Sequence, residues 1–124
     1  MAGTLYEQVG GQPFFERLVD AFYDAVAVDE VLRPMYPEDL TESRRTLVLF
    51  LAQYWGGPTT YMDERGHPRL RMRHAPFRIT KRARDAWMAA MNSALATVRE
   101  DLTDEQFEEM TSYFEMAAHQ MRNV

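Results

Sequence analysis

Residues 65–79 of the chain read RGHPRLRMRHAPFRI, and the interpretation of the remaining sequence starts from this stretch. Pro76 disfavours helix in the residue before it, so a helix that begins near Leu70 can be only a few residues long. Leu70, His74 and Phe77 follow the spacing i, i+4, i+7 and therefore share one side of the segment. The stretch predicts a single imidazole on an apolar side, surrounded by arginines.

A lone histidine in this setting is more often a core residue than a metal ligand, and the residues alone leave both interpretations open. A closed zinc site is excluded because the chain has no cysteine, no HExxH pair and no carboxylate between residues 65 and 84. One histidine can hold a haem iron, since the porphyrin supplies four further ligands. A backbone carbonyl or a water on the second ring nitrogen would then fix the tautomer. The guanidinium groups of the arginines in the same segment would pair with the haem propionates.

The rest of the chain is patterned for helices, because apolar residues recur every three or four positions. Proline and glycine mark the breaks, and a Ser/Thr-type capping box opens the last helix. No β-branched run is long enough to predict a strand, so we expect an all-α fold in one domain over residues 1–124. The four long helices are predicted over 13–28, over 41–55, from about Thr80 through Val98, and from the capping box of Thr103 and Gln106 onward.

Between the second and third of these helices, residues 56–69 are predicted to form a loop of about fourteen residues, and connections this long are usually functional. The loop contains Tyr61 and His67 rather than a disordered composition. His67 lies in a Gly-His-Pro turn, and His119 lies on the last predicted helix; both positions are typical of structural or surface histidines. Only His74 remains as a candidate ligand.

Composition narrows the class of protein further. The chain has 124 residues, a net charge of −5 and no cysteine, which excludes disulfides, Fe–S clusters and thiolate nucleophiles. No apolar run approaches the roughly 18–20 residues of a membrane span, and the first ten residues lack a signal-peptide pattern. We therefore predict a cytoplasmic protein without a membrane span.

The charges are unevenly distributed, which raises an alternative function. Residues 65–84 contain eight basic and no acidic residues, so the rest of the chain is strongly acidic. With Tyr61, His74 and Phe77, this segment could be interpreted as a basic patch with stacking groups for nucleic acid. It follows no known nucleic-acid-binding module, however, and we expect no nucleic-acid partner. A helical module without any cofactor is the other alternative.

Several runs of the sequence resemble those of group II truncated haemoglobins. The resemblance is carried by residues 65–79 and by the run QYWGGP at 53–58, and it extends over nearly the whole chain through VGG at 9–11, FY at 22–23, VLRPMYP at 31–37 and DAW at 85–87. It implies a truncated globin fold, a two-over-two helical sandwich around a non-covalent haem b. It also implies that His74 is the proximal ligand of the iron.

The same resemblance assigns residues to the distal side of the haem. Tyr23, Tyr36 and Trp87 match the distal polar trio, and Ser43 stands where ordinary globins place a distal histidine. Tyrosine offers an O–H and tryptophan an N–H, both suited to a ligand that carries partial negative charge. Thr46 stands where relatives often have a basic residue, so the resemblance leaves Arg71 to pair with a propionate. The predicted haem contacts are Leu47, Phe50, Tyr61, Arg71, Met72, Phe77, Ile79 and Trp87.

The function that the resemblance implies is binding of O₂ and other diatomic ligands such as CO and NO. Oxygen transport and redox chemistry on O₂, NO or peroxide are both roles considered for the family. Redox chemistry of this kind requires an external reductase, and no motif of the chain identifies one. The sequence leaves open whether the chain forms a homo-oligomer.

Overall fold

The computed structural model describes residues 3–124, so the first two residues of the predicted domain lie outside it. Within the described range all regular structure is helical, as the sequence predicts, and no β-strand occurs. Short 3-10 helices at Arg33–Met35 and Arg99–Asp101 join some of the α-helices. The α-helices are α1 (Leu5–Gln8), α2 (Gln12–Val28), α3 (Thr41–Tyr54), α4 (Thr60–Arg65), α5 (Leu70–His74), α6 (Lys81–Thr97) and α7 (Asp104–Met121).

Helix α2 lies at the centre of the fold and packs against both α3 and α6. Pro13 lies in its first turn, where the missing N–H costs no helical hydrogen bond. Its inward side is completely buried at Phe14, Leu18 and Phe22, which follow one another at intervals of four residues. Because α6 also packs against α7, the four long helices form two layers of two. This is the two-over-two sandwich that the sequence predicts.

The long helices begin and end close to their predicted bounds because their capping signals are local. Thr103 accepts a hydrogen bond from the Gln106 backbone N–H at 3.1 Å, and the Gln106 side chain accepts one from Thr103 N–H. The predicted capping box is therefore confirmed. A second box at Thr4 and Glu7 begins α1, a four-residue helix that the sequence analysis missed.

The prediction of a loop over the whole of residues 56–69 is wrong, since α4 occupies its middle. Tyr61 is buried in this helix and packs edge-on against Phe50, with ring centroids 5.5 Å apart. The Gln53 side-chain oxygen accepts a hydrogen bond from the Met62 backbone N–H at 2.9 Å. These contacts come from α3, and a six-residue helix without a side-chain N-cap gives no periodic signal of its own.

Helix α3 buries only part of its apolar surface. Val48, Leu51 and Ala52 are its buried residues, whereas Tyr54 is 49% exposed. Leu47 and Phe50 are half-buried. Because α3 packs on α2 through one apolar side, its second apolar side is left partly uncovered.

Helix α3 ends shortly before two glycines, Gly56 and Gly57, where α1 packs closely against the backbone. Gly56 has a φ of 95°, a conformation that favours glycine. A Cβ atom at Gly57 would lie 2.6 Å from the Tyr6 ring and 2.8 Å from the Ala52 carbonyl oxygen. The two glycines therefore allow α1 to pack directly against the carboxyl end of α3.

None of the helices within residues 3–124 combines the length and the apolar character that crossing a bilayer requires.

We predict that Thr103→Ala lowers the free energy of unfolding by about 1 kcal/mol, because α7 loses the acceptor for its third backbone N–H. Thr103→Ser keeps a hydroxyl at this position and serves as the matched control, with nearly wild-type stability. Chemical denaturation of the three proteins measures both values. Equal stability of the alanine variant and the wild type would contradict the role of the capping box.

Candidate functional site

His74, at the carboxyl end of α5, has one ring nitrogen fixed and one free. Its Nδ1 lies 2.7 Å from the Leu70 carbonyl oxygen, one helical turn earlier. Since a carbonyl oxygen only accepts, Nδ1 carries the proton and donates it in this hydrogen bond. The lone pair of the imidazole is then on Nε2, the nitrogen that can ligate a metal. The structure thus supplies the backbone carbonyl that the sequence analysis expected behind a ligating histidine.

Large apolar side chains near His74 are exposed to water. Met72 is 66% exposed and Phe77 is 52% exposed, although side chains of this size are usually covered in a folded domain. On α3, Leu47 and Phe50 are only half-buried. Uncovered apolar surface of this kind is typical of a binding site for an apolar ligand.

Helix α4 links the two apolar surfaces. Tyr61 on α4 contacts Phe50 of α3, and the Arg65 guanidinium lies 5.9 Å from the centre of the Tyr61 ring. The Arg73 side chain of α5 donates a hydrogen bond to the Arg65 carbonyl oxygen at 2.9 Å. Contacts therefore run without interruption from the half-covered side of α3 to the helix that carries His74.

The three predicted distal residues come together from three separate parts of the chain. Tyr23 lies on α2, Tyr36 follows the first 3-10 helix, and Trp87 lies on α6. The rings of Tyr23 and Tyr36 meet edge to face with centroids 5.6 Å apart. The Trp87 ring packs 5.3 Å from that of Phe22, which in turn packs 5.0 Å from that of Tyr23. The structure thus forms a cluster of two hydroxyls and one indole N–H within an apolar surrounding.

Burial keeps both tyrosines of this cluster in the protonated form. Desolvation raises the pKa of Tyr36 to about 12, although the neighbouring Trp87 side chain lowers this pKa. Desolvation also raises the pKa of Tyr23, and the neighbouring Tyr36 raises it further. The side chains of Arg44 and Ser43 lower the pKa of Tyr23. At neutral pH both phenols are therefore O–H donors.

Arg44 supports the outer side of this cluster, and the sequence analysis missed it. Its guanidinium lies 5.7 Å from the centre of the Tyr23 ring. It is held there by ion pairs with Asp20 at 3.1 Å and Asp24 at 3.3 Å, both on α2. The spacing i, i+4 of the two aspartates on α2 is a weak sequence signal for a basic partner, but it does not indicate which arginine pairs with them.

The basic segment 65–84 is less uniform than its sequence suggests. Asp85, just beyond the segment, pairs with Lys81 and with Arg84, each at 2.9 Å, and the Lys81 hydrogen bond is the main reason that its pKa is lowered. Arg71 is exposed and takes part in none of the ion pairs formed within residues 3–124. The available charge is therefore concentrated near α5 rather than along the whole segment, and Arg71 is available for an anionic ligand.

The backbone after His74 is held by a residue that no sequence signal indicated. Ile79 is buried, and its backbone N–H donates a hydrogen bond to the Asn123 side-chain oxygen at 2.9 Å. The Asn123 amide nitrogen donates to the Phe77 carbonyl oxygen at 2.8 Å. These bonds join the His74 region to the end of α7, which is 44 or more residues away in sequence.

The other two histidines lie outside this site. His67 accepts a hydrogen bond from the Arg69 backbone N–H at 3.1 Å, and His119 is exposed on α7. No group of three or more histidine, cysteine, aspartate or glutamate side chains that could hold a metal ion occurs in residues 3–124. The donor set around His74 therefore suits a metal that brings most of its own ligands, and haem is such a group.

The chain is similar to known globins over almost its full length. The family model for "Bacterial-like globin" matches residues 4–123. The Group 2 truncated hemoglobin YjbI of Bacillus subtilis is 43% identical over 118 residues, which cover 95% of this chain and 87% of that protein.

Solved structures show the same likeness. The thermostable hemoglobin of Thermobifida fusca is 49% identical, has a TM-score of 0.95, and the match covers 98% of each chain. The group II truncated hemoglobin of Bacillus anthracis is 39% identical with a TM-score of 0.92, covering 98% of this chain and 97% of that one.

We predict that alkaline destabilisation of the protein depends in part on Tyr36. Its pKa in the folded state is about 12 against an ordinary value of 10, so the folded state retains the proton longer than the unfolded state. The resulting stabilisation is complete below about pH 10 and is lost as the pH rises toward 12. Denaturation at a series of pH values should show a smaller loss of stability in Tyr36→Phe than in the wild type. The same pH dependence in both proteins would show that Tyr36 is not desolvated.

Proposed function

The chain belongs to the bacterial-like globin family, as a group II truncated haemoglobin, and from this premise we propose that it holds a haem b on His74 and binds O₂ and other diatomic ligands. The observation that carries this proposal is the state of the His74 ring. Nδ1 is bonded to the Leu70 carbonyl at 2.7 Å, which directs the lone pair of Nε2 away from the helix backbone.

The side chains around His74 fit a flat, apolar macrocycle with anionic edges. Met72 and Phe77 present uncovered apolar surface, and burying a side chain of this size is worth about 1.5–3 kcal/mol. Arg71 is exposed and can pair with a propionate through two parallel hydrogen bonds. We assign the remaining apolar contacts with the macrocycle to Leu47, Phe50, Tyr61, Ile79 and Trp87.

When bound, haem would supply an iron atom that can accept a diatomic ligand. The residues of the chain decide how firmly that ligand is held. Tyr36 and Trp87 offer an O–H and an N–H, and Tyr23 adds a second hydroxyl on a ring that lies 5.6 Å from the Tyr36 ring, centre to centre. Because both phenols stay protonated at neutral pH, the cluster offers only hydrogen-bond donors to a ligand with partial negative charge.

The apolar rings around the cluster strengthen these hydrogen bonds. Phe22 packs against Tyr23 and Trp87, with ring centroids at 5.0 and 5.3 Å, and Phe114 lies 5.9 Å from Trp87. A donor in such a surrounding interacts more strongly with developing charge than the same donor in water. We propose that this arrangement favours retention of O₂.

Reversible ligand binding serves oxygen transport directly. Redox turnover of O₂, NO or peroxide needs, in addition, an external reductase as electron donor. A cytoplasmic location stays a prediction from the sequence, which leaves the oligomeric state open.

The nucleic-acid alternative is supported by no observation of the fold. The family of the chain is a haem-binding one, and two cations of the basic segment are paired with Asp85. The expected result is no retention on DNA at about 0.15 M salt, where a real phosphate-binding surface would show a steep salt dependence.

We predict that His74→Gly abolishes the Soret absorption of the purified protein while the far-ultraviolet circular dichroism stays helical. The reason is that the variant removes the imidazole proposed to ligate the iron, and α5 contributes no buried side chain to the core. Added imidazole should restore the absorption by replacing the lost ligand.

His119→Ala is the matched control, since this histidine is exposed on α7. It should bind haem as the wild type does. A full Soret band in His74→Gly without added imidazole would overturn the assignment of His74.

We predict that Trp87→Phe accelerates O₂ dissociation by about two- to tenfold, since one hydrogen bond is worth about 0.5–1.5 kcal/mol. The variant keeps most of the apolar bulk and deletes the N–H. Stopped-flow displacement of O₂ by CO measures the rate, and the retention of CO, which carries less negative charge, should change less.

Trp55→Phe is the control for this experiment, because Trp55 donates its N–H to Glu109 at 3.0 Å, outside the distal cluster. It should leave O₂ dissociation unchanged. If Trp87→Phe lowers thermal stability but not O₂ retention, Trp87 is a packing residue and the tyrosines hold the ligand alone.

A further inference from the structure

The segment that follows His74 is held by side-chain hydrogen bonds rather than by secondary structure. Residues 75–78 are exposed and belong to no helix, and Pro76 contributes no backbone N–H. Two local backbone bonds support the first half of the segment, from Ala75 N–H to the Met72 carbonyl oxygen at 3.3 Å and from Phe77 N–H to the His74 carbonyl oxygen at 3.0 Å. Further support comes from a residue beyond α7, Asn123.

Asn123 bonds to this segment at four points. Its side-chain oxygen accepts from Ile79 N–H at 2.9 Å, and its backbone N–H donates to the Ile79 carbonyl oxygen at 3.0 Å. Its side-chain nitrogen donates to the Phe77 carbonyl oxygen at 2.8 Å and, at 3.4 Å, to the carbonyl oxygen of His74 itself. A primary amide is suited to this position because it offers one acceptor and two donors.

Asn123 is held in place by the core. Helix α7 packs against α5 and α6, and its residues Met110, Phe114 and Ala118 are buried. Arg122 follows the helix in an extended conformation, which directs the chain away from the helix axis at the position of Asn123. The amide is therefore attached to one of the long helices, whereas the segment that it holds has almost no support of its own.

We propose that Asn123 is a positioning residue for His74, an inference that rests on the proposed function. The Leu70 carbonyl fixes the rotation of the imidazole ring, and Asn123 fixes the backbone on the other side of the same residue. Together the two contacts set the direction of the Nε2 lone pair relative to the rest of the fold. Asn123 does not contact the ligand or the ring.

The test uses the haem-loaded protein and compares Asn123→Ala with Arg122→Ala. Among the residues that the structure describes, the Arg122 side chain bonds only to the Val124 carbonyl oxygen, so its removal is a matched control at the neighbouring position. The first readout is amide hydrogen exchange at Ile79, which should accelerate about tenfold or more in Asn123→Ala, since the variant removes the side-chain acceptor of this amide and both side-chain donors to the segment. Arg122→Ala should exchange as the wild type does.

The second readout separates positioning of the histidine from simple anchoring of the loop. Resonance Raman spectroscopy of the ferrous protein reports the iron–histidine stretching band, which depends on the orientation of the ring. The band should shift or broaden in Asn123→Ala, and transfer of haem to excess apomyoglobin should become several-fold faster. Arg122→Ala should change neither.

Asn123→Asp tests the same inference if the alanine variant folds poorly. The carboxylate retains the acceptor for Ile79 N–H but replaces both donors to the carbonyl oxygens of His74 and Phe77 with repulsive oxygens. Protection of the Ile79 amide should therefore persist while the iron–histidine band still changes.

Two outcomes would overturn the inference, one by itself and one together with the proposed function. Faster exchange at Ile79 with an unchanged iron–histidine band and unchanged haem transfer would show that Asn123 anchors only the loop. A wild-type protein that takes up haem without any iron–histidine band would instead contradict the proposed function, together with the inference that depends on it.

Discussion

The complete burial of one side of α2 determines how the other helices can pack. Phe14, Leu18, Phe22 and Val26 have no exposed surface, because α6 and α3 cover them from two directions. Helix α3 meets this demand chiefly with Val48, Leu51 and Ala52. Leu47 and Phe50 then remain only half-buried. The partly uncovered apolar surface of α3 thus follows from how the core is filled.

The distal cluster combines polar groups with an apolar surrounding, and the two depend on each other. Burial makes ionisation of the phenols unfavourable, which keeps their hydrogens available. The same burial would be costly for hydroxyls without polar neighbours, and Trp87 beside Tyr36 and Ser43 beside Tyr23 are such neighbours.

The long helices could be predicted from the sequence because their signals are local. The periodic residues of α2 and the capping box at Thr103 lie within the helices that they specify. Helix α1 carries a capping-box signal at Thr4 and Glu7, but it is too short to show a period. Helix α4 has neither signal, and its burial depends on α3, so the prediction of a loop over residues 56–69 failed.

The candidate site could be predicted only in part for a related reason. The residues alone left His74 either in the core or on a metal, and the family resemblance suggested the distal trio. Arg44 and Asn123 act through contacts with residues 20 or more positions away, and a single sequence does not reveal such pairs. The structure supplied them by placing α3 against α2 and the end of α7 against the segment after His74.

Helix α5 carries no buried side chain, a feature with a consequence for the lifetime of the loaded protein. Detaching α5 and the residues after it breaks a few hydrogen bonds but leaves the interior of α2, α6 and α7 intact. Such a local opening costs less free energy than unfolding of the whole domain. Loss and replacement of the cofactor can therefore proceed on a native core. The residence time of the cofactor and the lifetime of the fold are set by two different barriers, and selection can adjust the one without the other.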